Sequence, residues 1–209
     1  MNWMDMTLRE YQAALASSSP TPGGGTAAAV ALGQASALSI MVCDLTLGRD
    51  KWKDGWGYAE ATQLLAIPLL NRSGELAQAD SEAFDDVMAC YSMPKQSEEE
   101  KQVRRDAIRQ TTLRAAEIPF ETAQHAMILL QNLPALAKFG NANAVTDVGV
   151  ASLLASAAAK GAIFNVEINL QSLPDGMGTE LRERLSMIKD TIRTVAREVM
   201  DEVRLRMED

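Results

Sequence analysis

Histidine and cysteine are scarce in this chain. His125 is the only histidine among 209 residues, which excludes a histidine-rich zinc site and disfavours a Ser-His-Asp triad, because both need an imidazole with defined partners. We expect His125 to be a hydrogen-bonded packing residue of an amphipathic helix. Cys43 and Cys90 lie far apart without companion Cys or His residues. We therefore interpret them as reduced, buried residues rather than as a disulfide.

The chain also lacks a surplus of basic residues. It has 20 Lys and Arg against 28 Asp and Glu, a net charge of -8, which disfavours a nucleic-acid or anionic-membrane partner. It contains neither a Walker A loop nor a dinucleotide-binding glycine fingerprint. Asp5, Arg9 and Glu10 interrupt any early apolar run, so no signal peptide is predicted. We expect a cytoplasmic protein with no metal, no nucleic-acid partner and no membrane partner.

Charge is absent from Gly23 to Cys43, a stretch long enough to cross a bilayer. Most of these residues are Ala, Gly, Ser or Thr, and Gln34 lies in the middle, so transfer into lipid is weakly favoured. A helix buried in a bundle or an oligomer interface explains the composition better than a membrane span does.

Helical periodicity runs through almost the whole sequence, with no succession of strands and no internal repeat. We predict an all-α fold, an elongated multi-helix bundle forming one domain over residues 1–209. Capping boxes are expected at Thr7 and at Ser97, each followed three residues later by Glu. The last helix, about 179–207, carries an apolar seam at spacings of four and three that requires a partner helix.

Prolines and a glycine predict breaks in these helices. The helical region of about 58–92 is expected to bend or divide near Pro68 and Gly74. The next helix should be disturbed at Pro119, with a separate short helix around Pro134 to Phe139. A later Ala-rich helix, 151–168, should be capped by Thr146 or Asp147.

The segment Pro20–Thr26 combines two prolines with three consecutive glycines and leads directly into the uncharged helix. The amides of Gly23, Gly24 and Gly25 are therefore expected at a helix start free of side chains, where they can bind a carboxylate, phosphate or carbonyl oxygen. The alternative is that the glycines serve only a sharp turn and close helix packing.

Asp80 shares a helix face with Phe84, Val87 and Tyr91, because these residues follow at spacings of four, three and four. A carboxylate on an apolar face needs a partner or a function, since burial raises its pKa and a cationic ligand favours its ionised form. A structural salt bridge or hydrogen bond to a neighbouring helix is the alternative.

Amides and a second carboxylate follow later in the chain. Asn141, Asn143 and Asp147 lie between helices, where such residues cap, turn or bind a ligand. Asn165 and Asn169 lie four apart on one helix face. Either pair of amides could contact a heterocycle or satisfy backbone groups.

Four of these segments together resemble the cyclodeaminase/cyclohydrolase family of folate enzymes, and they occur in the family's order. They are Pro20–Thr26, Asp80–Phe84, Gly140–Gly149 and Asn165–Asn169. Two positions depart from the family's pattern: Thr146 stands where serine is common, and Glu167 where a basic residue often occurs. The second departure leaves the folate substrate open.

The resemblance implies an all-helical homodimer that acts on a folate at its one-carbon unit, without a metal or redox cofactor. The chain has no room for a preceding formiminotransferase domain, so hydrolysis of 5,10-methenyltetrahydrofolate to 10-formyltetrahydrofolate is expected first. A formiminotetrahydrofolate cyclodeaminase and a non-catalytic folate-binding or scaffold protein remain the alternatives. The implied catalytic residues are Asp80, Asp147 and Lys51. The implied substrate-binding residues are Gly23, Gly24, Gly25, Asn141, Asn143, Asn165 and Asn169.

Overall fold

Every regular element in the described part of the chain is helical. A computed structural model describes residues 2–208. Its α-helices are α1 (Leu8–Leu15), α2 (Gly24–Thr46), α3 (Trp56–Tyr91), α4 (Glu98–Phe139), α5 (Val145–Gln171) and α6 (Thr179–Glu208). Short 3-10 turns occupy Trp3–Asp5, Asp50–Gly55 and Ala142–Ala144. Residues 2–208 contain no strand, which confirms the all-α prediction.

Helix α2 packs between α3 and α5 and runs antiparallel to both. Ala28 lies opposite Gly161 of α5, and Gly33 lies against Ser73 of α3, so small side chains let the three helix backbones approach closely. Helix α4 contacts α3 and α5, and α6 packs on α4 and α5. The apolar core lies among these five long helices.

The apolar helices α2 and α5 are core helices with one outward face each. Both are long and apolar enough to span a membrane, but about half of each apolar window, 50% and 56%, is buried inside the bundle. Core helices of soluble proteins commonly have this composition. Gln34, Ala37 and Met41 of α2 are exposed, so the bundle leaves one face of α2 uncovered.

The predicted helix breaks at prolines are wrong. Helix α3 continues through Pro68 and Gly74, and α4 continues through Pro119 and Pro134. A proline within a helix removes the amide that would bond the carbonyl four residues earlier. At Pro68 that carbonyl belongs to Leu64, which is 77% exposed, so this side of α3 faces solvent and water can satisfy the carbonyl.

Asn169 provides the missing donor at Pro119. Pro119 is buried and leaves the Ala115 carbonyl without its usual helical partner. The Nδ2 amide of Asn169, on α5, donates to that carbonyl at 2.8 Å. A side chain from α5 thus replaces the backbone bond that Pro119 removes from α4.

The helix starts follow the predicted capping chemistry at two of three places. Thr7 and Ser97 both form complete capping boxes with the glutamate three residues later. The predicted cap of α5 by Thr146 or Asp147 is wrong, because the Ala142–Ala144 turn leads into the helix earlier and makes Ala144 the N-cap, without a side-chain hydrogen bond.

The apolar seam of α6 is confirmed, and its central residues are buried against α4 and α5. Ile192 is 1% exposed, whereas Met187, on the same helix, is 63% exposed.

We predict that Ile192→Ala lowers the free energy of unfolding by about 2–5 kcal/mol, because it leaves a cavity in a close-packed seam. Ile192→Val should cost about 0.5–1.5 kcal/mol. Chemical denaturation measures both, with Met187→Ala as the exposed control. Equal losses for Ile192→Ala and Met187→Ala would contradict the packing described here.

Candidate functional site

The first turn of α2 has no capping side chain of its own. Gly23 is the N-cap residue, and it has no side chain that could accept a hydrogen bond. The carboxylate of Asp80, from α3, takes this place. It accepts a hydrogen bond from the Thr26 hydroxyl at 3.0 Å, and the Thr26 backbone amide also favours its ionised form. A carboxylate at this position also complements the positive end of the helix dipole.

Gly25 makes this contact sterically possible. A Cβ added to Gly25 would lie 2.6 Å from Cγ and 2.7 Å from Oδ2 of Asp80, so any side chain there would displace the carboxylate. At Gly24 a Cβ would meet only Asn165 Nδ2, at an ordinary 3.7 Å. The second glycine of α2 is thus required by the close approach of Asp80, and the first is not.

A chain of hydrogen bonds extends from Asp80 to the start of the protein. Thr26 Oγ1 lies 3.0 Å from Ser81 Oγ, and Trp3 Nε1 donates to Ser81 Oγ at 2.9 Å. Thr26 and Ser81 are buried. The carboxylate is therefore held by residues of α2 and α3 and, through them, by the first 3-10 turn.

Burial raises the pKa of Asp80, and the hydrogen bonds from Thr26 partly offset that effect. The carboxylate lacks an ion-pair partner among residues 2–208, so a salt bridge does not balance it. The hydrogen bond from Thr26 of α2 is the other form of the structural alternative, a bond to a neighbouring helix. Tyr11 is close enough that burial, and then the charge of Asp80, raise the pKa of its phenol. The Tyr11 hydroxyl is itself buried and has no hydrogen-bond partner among residues 2–208.

Helix α5 contributes Asn165 on the other side of the α2 start. Its Nδ2 lies beside Gly24 and donates to the Gly161 carbonyl at 2.9 Å. Phe164, next to Asn165, is 70% exposed, and Phe84, one turn beyond Asp80, is 38% exposed. The exposed Gly24 therefore lies between the Asp80 carboxylate and the Asn165 amide. Phe84 follows Asp80 on α3, and Phe164 precedes Asn165 on α5.

The remaining predicted residues lie at the other end of α2. Asn141 donates from Nδ2 to the Leu45 carbonyl at 2.8 Å, and its Oδ1 accepts the Asn143 amide at 3.0 Å. Asp147 lies in the first turn of α5. Lys51 is exposed in the Asp50–Gly55 turn, with Nζ 4.6 Å from the centre of the Trp52 ring.

Within one chain the predicted site residues form two groups. Gly23–Gly25, Asp80 and Asn165 lie at the N-terminal end of α2, and the group of Asn141, Asn143, Asp147 and Lys51 lies at its C-terminal end. Twenty residues of helix separate Thr26 from Thr46, about 30 Å at 1.5 Å per residue. Asn169 lies one turn beyond Asn165, with its Nδ2 committed to Ala115.

Four residues around Asp80 were missed as site residues. Thr26 and Ser81 adjoin the glycines and Asp80 in sequence, so their positions inside the two motifs were a usable signal. Trp3 and Tyr11 carry no comparable signal, because only the path of the N-terminal segment brings them to α2 and α3.

A cavity of about 350 Å³ lies between α1, α2 and α3, and its lining includes Trp3 and Tyr11, so it adjoins the residues around Asp80. None of its lining residues is charged, and Asp80 does not line it. The candidate site therefore stays at the start of α2. His125 lies 3.2 Å from Glu121, one turn earlier on α4, so the predicted hydrogen bond is present. Among residues 2–208 there is no group of three His, Cys, Asp or Glu placed to hold a metal.

Comparison with known proteins identifies the relationship. The sequence model of the family described as formiminotransferase-cyclodeaminase matches residues 7–186. The chain belongs to this family. A methenyltetrahydrofolate cyclohydrolase from Methylorubrum extorquens is 35% identical to it over 84% of this chain and 85% of that protein.

Other members of the formiminotransferase-cyclodeaminase family extend the comparison. The formimidoyltransferase-cyclodeaminase of Rattus norvegicus is 29% identical over 98% of this chain, which spans 38% of that longer protein. The crystal structure of a formiminotetrahydrofolate cyclodeaminase from Thermotoga maritima superposes with a TM-score of 0.85 at 28% identity, covering 96% of this chain and 97% of that one. The helical fold is thus the fold of this solved relative.

The two adjacent glycines give a stability test of the site geometry. Gly24→Ala should keep or raise the melting temperature, since Ala is favoured over Gly in a helix by about 1 kcal/mol and has room here. Gly25→Ala should lower it, because the new Cβ displaces the carboxylate that caps the helix. Thermal unfolding by circular dichroism measures both. Equal melting temperatures would contradict the close approach of Asp80 to Gly25.

Proposed function

We propose that this protein hydrolyses 5,10-methenyltetrahydrofolate to 10-formyltetrahydrofolate at the Asp80 end of α2. The support from comparison is the cyclohydrolase relative at 35% identity over most of both chains. The observation that carries the proposal is the Asp80 carboxylate, which is partly buried, fixed by Thr26, and free of a cationic partner among the described residues. Such a carboxylate suits a cationic ligand.

The proposed reaction needs a negative charge and a proton acceptor at one place. The one-carbon centre of the methenyl substrate is a cationic amidinium carbon. A water molecule adds to it and gives one proton to Asp80. The bond from the carbon to one folate nitrogen then breaks as that nitrogen takes up the proton from Asp80, and the remaining hydroxyl proton is lost to solvent as the formyl C=O forms. A raised pKa makes Asp80 a stronger base than an exposed aspartate while its charge stabilises the cation.

The surroundings of Asp80 provide groups to position the rest of the folate. The amides at the glycine-rich start of α2 and the side chain of Asn165 lie next to the carboxylate. They offer hydrogen bonds to a heterocycle, and the exposed rings of Phe84 and Phe164 offer apolar surface beside it. Neither a metal nor a redox cofactor takes part in this scheme.

The second candidate is a formiminotetrahydrofolate cyclodeaminase. Its support is the structural similarity to the Thermotoga maritima protein, with a TM-score of 0.85. In this reaction a folate nitrogen attacks the formimino carbon and ammonia leaves, so the same carboxylate can serve the same carbon. Ammonia release from formimino-folate, measured beside the loss of near-ultraviolet absorbance of methenyl-folate, separates the two reactions. Binding without either reaction would favour the scaffold alternative.

We also propose that the protein is a cytoplasmic homodimer, with no membrane partner, and that it pairs through α5. One face of α5 presents Val150, Leu153, Phe164 and Ile168, which are 47%, 57%, 70% and 62% exposed. Their spacing of three, eleven and four places them on one stripe. An exposed apolar stripe of this length is typical of an interface.

An antiparallel pairing of two α5 helices would also join the two groups of predicted site residues. It would place the Asp147 end of one α5 beside the Asn165 end of the partner's α5. Asn141, Asn143, Asp147 and Lys51 would then complete the site of the other subunit, and Asp147 would be the second carboxylate there.

The Asp80 carboxylate is tested by Asp80→Asn. Turnover should fall by about 10²-fold or more, because the amide keeps the size and the acceptor oxygen but loses the charge and the basicity. Since burial raises the pKa of Asp80, its ionised form is less favourable in the folded protein than in the unfolded chain. The neutral Asn should therefore keep or raise the melting temperature at neutral pH.

Asp86→Asn is the matched control, because Asp86 lies on the same helix with an exposed side chain. A normal melting temperature with the parent rate in Asp80→Asn would remove Asp80 from the catalytic set. If Asp147→Asn lost turnover while Asp80→Asn kept it, Asp147 and not Asp80 would be the catalytic carboxylate.

The dimer is tested by Leu153→Glu, which places a charge in the proposed α5 stripe. Sedimentation velocity at micromolar concentration should show a dimer for the parent protein and a monomer for the variant, since burying an unpaired carboxylate opposes association. Leu205→Glu is the control, because Leu205 is 60% exposed on α6, away from the stripe. A folded monomeric parent would contradict the dimer.

A further inference from the structure

The hydrogen-bond chain at Asp80 has a defined direction. The Thr26 hydroxyl has a single proton, and it donates that proton to Asp80 Oδ2 at 3.0 Å. In the 3.0 Å contact between Thr26 and Ser81, Ser81 must therefore be the donor. Ser81 in turn accepts from Trp3 Nε1, an indole that can only donate. Every proton in the chain thus points toward the carboxylate.

Ser81 differs in this respect from other buried hydroxyls of the helices. Ser36, Ser39 and Thr46 each donate to the carbonyl four residues earlier in their own helix, at 2.8–2.9 Å. Ser81 is just as buried, at 3% exposure, but its proton goes to Thr26. Ser81 therefore bonds to a neighbouring helix instead of to the carbonyl four residues earlier in its own helix. The Trp3 indole, which donates to Ser81 Oγ, stabilises this orientation of the hydroxyl.

The turn that carries Trp3 packs on α3. The following residue, Met4, lies so near α3 that a Cβ on Gly74 would come within 2.8 Å of its Cγ. The first 3-10 turn therefore contacts α3 at Gly74, six residues before Asp80. Trp3 lies outside residues 7–186, the part of the chain that the family model matches.

We propose that Trp3 is a positioning residue, which orients the Asp80 carboxylate for catalysis through Ser81 and Thr26. The inference rests on the proposed function of Asp80. Trp3 itself does not contact the reacting carbon in this scheme. It fixes the rotamer of the Ser81 hydroxyl, which leaves the Thr26 proton available to Asp80 alone. Donors aligned in series reinforce one another.

Trp3→Phe tests the proposal, because phenylalanine keeps an aromatic ring in the same packing but lacks the N–H donor. We expect kcat to fall about 3- to 10-fold, the range that corresponds to one neutral hydrogen bond, with KM within about twofold of the parent value. Ser81→Ala should give a similar fall, and the double variant should be no slower than Ser81→Ala, since both changes interrupt one chain.

Ser36→Ala is the matched control for Ser81→Ala. Ser36 is buried in the middle of α2 and donates to the Leu32 carbonyl at 2.9 Å, so this variant loses a buried hydroxyl hydrogen bond away from both groups of site residues. Its kcat should match that of the parent. A merely structural Trp3 would give a lower melting temperature with unchanged kcat and KM, or additive losses in the double variant, and either result would overturn the proposal.

A second measurement does not depend on turnover. In a proton–nitrogen NMR spectrum the Trp3 indole resonance, assigned by its loss in Trp3→Phe, should shift in Asp80→Asn, while those of Trp52 and Trp56 stay in place. An unmoved Trp3 resonance would overturn the proposal. If neither folate is turned over but the Trp3 resonance shifts, the proposed function fails while the link from Trp3 to Asp80 stands.

Discussion

The contact between the Asp80 carboxylate and the start of α2 determines much of the surrounding structure. Helix α2 begins at glycines and cannot cap itself, so α3 must approach closely enough to supply the acceptor. That approach requires Gly25 to lack a side chain. One interaction therefore couples the glycine-rich segment, the register of α3 against α2 and the burial of a carboxylate. The burial of the Asp80 carboxylate against the first turn of α2 therefore both stabilises the helix start and raises the pKa of Asp80.

The distribution of the site residues follows from the length of α2. A single long helix separates the Asp80 group from the Asn141–Asp147 group, and its apolar neighbours α3 and α5 carry exposed aliphatic and aromatic side chains. In a monomer these features are unrelated. In the proposed antiparallel dimer the exposed stripe of α5 would bring the two groups together, so assembly and catalysis would depend on the same helix.

The sequence was sufficient for the fold class, for which regions are helical and for two capping boxes, because periodicity and capping are local properties. It also placed Asp80, Asn165 and the glycines in one candidate site. It did not predict that two helices continue through their prolines. It failed at Pro119, since the compensating donor is 50 residues away on α5, and at Asp147, where a 3-10 turn starts the helix early. Trp3 could not be found from sequence, because its role depends on the path of the N-terminal segment.

The bond from Asn169 to the Ala115 carbonyl has a consequence for the alignment of the helices. The carbonyl lacks its helical donor because of Pro119, so it gains most from a side chain at this one height along α4. If α5 slid by one turn, both groups would be left unpaired, at a cost of about 1–3 kcal/mol. The bond thus opposes sliding of α5 along the axis of α4. Since Asn165 is one turn away on the same helix, the bond also sets the height at which that amide faces Gly24.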